Sequence, residues 1–164
     1  MSVAADEGGW IAKTPRVEPE PELDALARVV IEAAFEVHRV LGPGYGEMLY
    51  ESALCVELNL RSVAYERQPA TVVEYKGHCV GEGRLDLVVG GRLVVELKAV
   101  PALAPVHTAQ VLAYLKATGQ KLGLLINFDV ARLKDGIKRV VLSPSLGALA
   151  SWRSPSSKSD FPQP

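Results

Sequence analysis

A chain of 164 residues with 18 Lys and Arg against 19 Asp and Glu, 48% hydrophobic and 23% charged, can hold one domain with a sizeable core and has the make-up of an ordinary folded protein. Between residues 22 and 142 the balance is 14 basic to 14 acidic, so no overall basic field advertises a nucleic-acid coat protein, although an acidic site with local basic residues stays open. No run approaches a membrane span, the N-terminus lacks a basic start and an apolar stretch, and the isolated thiols Cys55 and Cys79 lack metal-ligand spacing. A cytoplasmic protein with both cysteines as small buried hydrophobes is therefore expected.

Residues 1–21, with Pro15, Pro19 and Pro21 among acids, read as a disordered tail. Leu23, Leu26, Ala27, Val30, Ile31, Ala34, Val37 and Leu41 then recur at helical spacing until Gly42-Pro43-Gly44 stops the helix. A second helix is predicted from about Gly46 to Arg61. Short alternating or β-branched runs follow at Val63–Gln68, Thr71–Tyr75, His78–Val80, Leu85–Val89 and Leu93–Ala99, with Lys76-Gly77 and Gly90-Gly91 as turns, and they read as an antiparallel meander. A third helix opens at Pro105 and runs to Thr118 before Gly119, and strands are predicted at Leu122–Phe128 and Ile137–Leu142. Residues 143–164 form a Ser/Pro-rich tail in which only Leu146, Leu149 and Trp152 offer docking side chains. There is no internal repeat, and residues 22–142 form one α/β or α+β domain, a sheet with helices on its faces.

The chemistry concentrates in the predicted hairpin from Gly83 to Lys98. Glu96 and Lys98 are two residues apart and share one face of their strand, while Val95, Leu97 and Ala99 take the other. Glu-x-Lys alone recurs by chance in charged chains, but Asp86 lies ten positions before Glu96 on the adjacent strand. Buried charges cost several kcal/mol unless paired or metal-bound. Two carboxylates about 4 Å apart would repel by about 4 kcal/mol at an effective dielectric of about 20, so a cation between them makes the arrangement comfortable. Hard oxygen ligands suit Mg²⁺ or Mn²⁺. Register decides whether the acids meet. A two-residue Gly90-Gly91 loop would pair Asp86 with Val95 and throw the carboxylates to opposite faces, so a three-residue Gly90-Gly91-Arg92 loop, or a bulge, is predicted.

On the third helix His107, Gln110 and Tyr114 stack on one face, either as a polar stripe toward a site or as surface and rim residues. At the start of the second helix Glu47 and Tyr50 share a face, where Glu47 also complements the positive end of the helix dipole. No phosphate-cradling glycine loop is present.

Taken together, Gly44-x-x-Glu47-x-x-Tyr50, Gly83-Arg84-Leu85-Asp86, Val94-Val95-Glu96-Leu97-Lys98-Ala99, Ala109-Gln110-x-x-x-Tyr114 and Gly123-Leu124-Leu125-Ile126-Asn127-Phe128 resemble the GxxExxY family of small prokaryotic proteins, placed in the PD-(D/E)XK nuclease superfamily. All motifs occur in order over about residues 24–142, with Leu85 where the superfamily name has proline. The resemblance implies a restriction-endonuclease-like mixed β-sheet flanked by helices and metal-dependent phosphodiester hydrolysis, with DNA as the expected substrate. It makes Asp86, Glu96 and the Leu97 carbonyl ligands of Mg²⁺ (or Mn²⁺), with Glu47 completing the acidic cluster. Lys98 would orient or help deprotonate the attacking water, and Gln110 and Tyr114 would fix the site or the phosphate. The alternative is a non-catalytic module that keeps the fold and binds nucleic acid or protein; a small-molecule enzyme lacks any supporting cofactor motif. A second copy in a homodimer or a partner protein would supply the surface that sequence-specific readout needs.

Overall fold

The computed structural model describes residues 20–143. The tail readings for residues 1–19 and 144–164, including Leu146, Leu149 and Trp152, lie outside the described residues. Pro21, given above to the tail, instead opens the first helix, α1 (Pro21–Leu41), where a missing N–H costs nothing. Glu22 and Asp24 sit at its positive end, His38 and Arg39 at its negative end, and Gly42 ends it at φ 68°. Its stripe of Leu23, Ala27, Val30, Ala34 and Val37 is buried. Helix α2 (Glu47–Leu60) follows and buries Tyr50, Glu51, Leu54, Cys55 and Leu58.

Seven strands follow: β1 (Tyr65–Arg67), β2 (Ala70–Tyr75), β3 (His78–Arg84), β4 (Leu87–Val89), β5 (Leu93–Lys98), β6 (Leu122–Asn127) and β7 (Ile137–Val141), with helix α3 (Pro105–Thr118) between β5 and β6. The main sheet has the order β1-β4-β5-β6-β7. Only β5 and β6 are parallel, as a connection through a crossover helix requires. Period-two alternation splits the core into two layers. Leu87, Val89, Leu93, Val95, Leu97, Leu124 and Ile126 pack toward α1 and α2, whereas Val88, Val94, Leu125 and Val140 join Val111 and Leu115 of α3. Gly123 lets α3 come this close, because a Cβ there would stand 2.5 Å from the Val111 side chain.

The meander is not formed. β1 pairs with β4, Tyr65 opposite Val89 and Arg67 opposite Leu87, and the residues between leave the sheet as a separate β2-β3 hairpin. Gln68 turns the chain out at φ 50°, and two bonds close the neck: Gln68 N–H donates to the Asp86 carbonyl at 2.8 Å and Leu85 N–H to the Pro69 carbonyl at 3.2 Å. Because this hairpin has no second layer over most of its length, Val72, Val73, Tyr75 and Val80 are exposed although they carry a strand-core pattern. Cys79 on the same hairpin is exposed too, and only Cys55 is buried; both thiols are free.

The β4-β5 turn has the three-residue form, with Gly90 at φ 58° and Gly91 at φ 66°. Val89 pairs with Leu93 and Leu87 with Val95, so the register carries Asp86 opposite Glu96. Among the described residues no helix is long and apolar enough to cross a membrane.

Candidate active site

The site lies at the end of the sheet where β4 begins and β5 stops. Asp86 sits on a bend just ahead of β4, and its Oδ2 accepts the Leu97 N–H at 2.7 Å. The register explains that bond. Along β5 the residues that point their peptide groups toward β4 alternate with those that point toward β6. Lys98, whose carbonyl accepts the Phe128 N–H at 2.8 Å, belongs to the β6 set, so Leu97 turns both its N–H and its C=O toward β4. The β4 ladder ends at Leu87, and the Asp86 side chain takes the place of the missing strand backbone. The Leu97 carbonyl thus faces the Asp86 side of the strand end.

Glu96 is 2% exposed. Lys98 Nζ donates to its Oε1 at 2.7 Å, while its Oε2 is buried without a hydrogen-bond partner among the described residues. Burial first, then the charge of Asp86, pushes the Glu96 carboxyl up to about 7 despite Lys98. Burial likewise holds the Asp86 carboxyl above its ordinary value, against the Leu97 amide and the Lys98 charge. For Lys98 burial works against the ammonium, yet the Glu96 bond and the charges of Glu47 and Asp86 outweigh it and raise its pKa.

Glu47, the first residue of α2, reaches the site through Lys98, its Oε1 lying 3.9 Å from Nζ. It does not close a tight three-acid cluster: among the described residues no group of three or more His, Cys, Asp and Glu side chains is gathered for a metal ion. On α3 the half-buried Gln110 donates from Nε2 to Tyr114 Oη at 3.3 Å, and the Tyr114 ring packs over Gly83, where a Cβ would come within 3.1 Å of it. Neither side chain bonds Asp86, Glu96 or Lys98. His107 is used locally, its Nδ1 accepting the Ala104 N–H at 3.0 Å at the start of α3.

The supporting roles of Tyr50 and Asn127, which stand in the motifs quoted above, and the residue Glu51 were not read from the sequence. Tyr50 stacks on Phe128 with centroids 4.6 Å apart, donates to the Gly42 carbonyl at 2.7 Å and accepts the Tyr45 N–H at 3.2 Å, which pins the loop leading into Glu47. Asn127 is buried at the end of β6; its Oδ1 accepts the Val100 N–H at 3.0 Å and its Nδ2 donates to the Val100 carbonyl at 2.7 Å, fixing the chain just past Lys98. Glu51, buried on α2, accepts from Arg67 Nε at 2.5 Å and from Gln68 Nε2 at 3.2 Å. The available signal was a polar residue inside an otherwise apolar pattern: Glu51 falls on the helix face of Tyr50, Leu54 and Leu58, and Asn127 ends an apolar run.

A five-stranded mixed sheet with helices on both faces, Asp86 at its end and Glu96-x-Lys98 on the next strand define a restriction-endonuclease-like fold. The family model of the PD-(D/E)XK nuclease superfamily matches residues 24–140, most of the chain, and the protein belongs to that superfamily. Comparison with curated proteins and with solved structures gives no match. Nucleases of this superfamily generally use divalent metal ions. The residues present fit such an ion: an orphaned buried carboxylate oxygen on Glu96, Asp86 opposite it, and the Leu97 carbonyl turned to the same side.

Proposed function

We propose that the protein is a metal-dependent nuclease of the GxxExxY kind that hydrolyses phosphodiester bonds in DNA. The observation that carries this reading is the Glu96 carboxylate, buried beside Lys98 with Oε2 unpartnered. Leaving a buried acceptor unsatisfied costs about 1–3 kcal/mol, more when charged, and a cation shared with Asp86 removes that cost. Asp86, Glu96 and the Leu97 carbonyl are the residues to hold Mg²⁺ or Mn²⁺, with Glu47 at the outer side of the cluster. Bound there, the ion supplies Lewis-acid polarisation of a phosphoryl oxygen and lowers the pKa of water from about 15.7 toward about 7.

The chain's own residues supply orientation and charge. Lys98, kept protonated by Glu96 and Glu47, donates hydrogen bonds to the attacking water or to the reacting phosphate, where fixed charge stabilises what develops in the transition state. Gln110 and Tyr114 approach from the α3 face as phosphate-positioning groups. One observation favours the rival reading of a non-catalytic nucleic-acid- or protein-binding module: among the described residues no third side-chain ligand is gathered beside the two acids. The decisive experiment incubates the protein with linear, circular and single-stranded DNA and with RNA, with and without Mg²⁺ or Mn²⁺, beside the Lys98→Ala variant. Metal-dependent cleavage lost in the variant supports the nuclease; no cleavage on any substrate, or equal cleavage by both proteins, rejects it.

A further inference from the structure

On the α2 side of the site a buried acid holds an exposed base. Glu51 is 3% exposed, yet the Arg67 side chain it binds is 43% exposed. Arg67 is fixed at two points, Nε on Glu51 Oε1 at 2.5 Å and Nη2 on Ser52 Oγ at 3.0 Å. Of its five N–H donors, those on Nη1 have no side-chain hydrogen bond among the described residues. Gln68 Nε2 caps the same carboxylate at 3.2 and 3.3 Å. A buried carboxylate is a poor stabiliser compared with a packed hydrophobe, so this arrangement serves something other than the core. What it achieves is a guanidinium whose direction is set in advance.

That guanidinium lies at the same end of the sheet as the site, on the face covered by α2. Arg67 is the last residue of β1 and pairs with Leu87, the neighbour of Asp86, while the next residue, Gln68, donates its N–H to the Asp86 carbonyl at 2.8 Å. In the site itself Lys98 is largely buried between Glu96 and Glu47, while Arg67 pairs with Glu51 on the α2 face. A polyanionic backbone that runs across this end of the sheet therefore meets, on the α2 face, a cation with donors facing solvent. A planar fork held by a buried acid matches a phosphate better than a freely rotating lysine.

We infer that Arg67, positioned by Glu51 and Gln68, binds a backbone phosphate of the nucleic acid next to the one that reacts. The inference rests on the nuclease reading, and its test separates the two. Binding of the full chain to a fluorescein-labelled DNA duplex and to the single strand is measured across a NaCl series for the wild type, Arg67→Met and Arg92→Met. Arg92, at the opposite end of β5, controls for loss of one charge. Arg67→Met lowers the slope of log affinity against log salt by about 0.9 on duplex or about 0.7 on single strand, and weakens binding about tenfold at low salt, while Arg92→Met keeps the wild-type slope. Because Arg67→Met strands a buried charge, E51Q/R67M, which removes the charge with its partner, carries the test where the single variant does not fold. If Arg67 is only the counter-ion of Glu51, the melting temperature falls while slope and affinity stay as in the wild type, and the inference is overturned although the nuclease reading stands. A wild-type protein that neither binds nor cleaves either form of DNA removes the nuclease reading and the inference together.

Discussion

Replacing Glu96 with Gln should stabilise the metal-free protein, and by an amount that depends on pH in a calculable way. The Glu96 carboxyl has a value of about 7 in the fold against 4.5 for the free side chain. Between those two values the folded protein holds a proton that the unfolded chain has released, so stability falls as pH rises from about 4.5 to about 7. Below that window both states are protonated and the penalty vanishes. Above it the penalty is complete, about 3 kcal/mol at about 1.4 kcal/mol per pH unit. Gln keeps the shape of the neutral acid and does not titrate. Glu96→Gln should therefore match the wild type near pH 4.5 and exceed it by about 3 kcal/mol at pH 8, or roughly 10 °C in melting temperature for a domain of this size. Thermal unfolding followed by circular dichroism in EDTA, from pH 4.5 to 8.5, measures the difference. A gap that does not change with pH, or a variant less stable than the wild type at pH 8, would refute the reasoning that Glu96 is held in an unfavourable charged state awaiting a cation.

Mg²⁺ or Mn²⁺ at millimolar concentration should raise the wild-type melting temperature, and Asp86→Asn should lose most of that rise while still folding, because an asparagine oxygen can accept the Leu97 N–H; a metal-induced rise of equal size in the variant would remove Asp86 from the ligand set. Lys98→Met should fold, with Glu96 shifting further toward its neutral form once its partner is gone, and lose DNA cleavage by about 10²-fold or more in a single-turnover assay; unchanged cleavage would reject Lys98 as the electrostatic stabiliser. Tyr50→Phe should cost about 1–2 kcal/mol in urea unfolding, since it removes the hydroxyl that ties Gly42 to Tyr45; a cost near zero would show that the loop before Glu47 is held by stacking on Phe128 alone.

Periodicity made the three helices, the last two strands and the β4-β5 hairpin legible, because each buries a continuous face whose spacing reports its geometry. The turn could be read further still: Gly90-Gly91 tolerates positive φ, and a three-residue loop or a bulge, unlike a regular two-residue turn, sets Asp86 opposite Glu96. Strand partnership could not be read, since Tyr65–Arg67 and Ala70–Tyr75 look equally able to join the next strand. The excision of β2-β3 depends on the neck at Gln68 and Leu85, whose backbone hydrogen bonds carry no side-chain signature. The expected acid cluster was legible as composition but not as geometry: Glu47 shares a helix face with Tyr50, yet its distance to Asp86 and Glu96 depends on how α2 leans on the sheet. Glu51 and Arg67 are sixteen positions apart and meet only because β1 passes under α2.

The bond from the Leu97 amide to Asp86 gives one aspartate two employments. It is a candidate ligand, and it is also the piece of artificial backbone that finishes the sheet after β4 runs out. Selection on folding alone would keep an acceptor here, aspartate or asparagine, so a descendant that had given up cutting could still display most of the signature at this position. The unpartnered oxygen of Glu96 has no such second occupation: once nothing arrives to satisfy it, a glutamine or an aliphatic residue becomes the better tenant. Among sister sequences, the glutamate and the lysine beside it are where a change of trade would first be written.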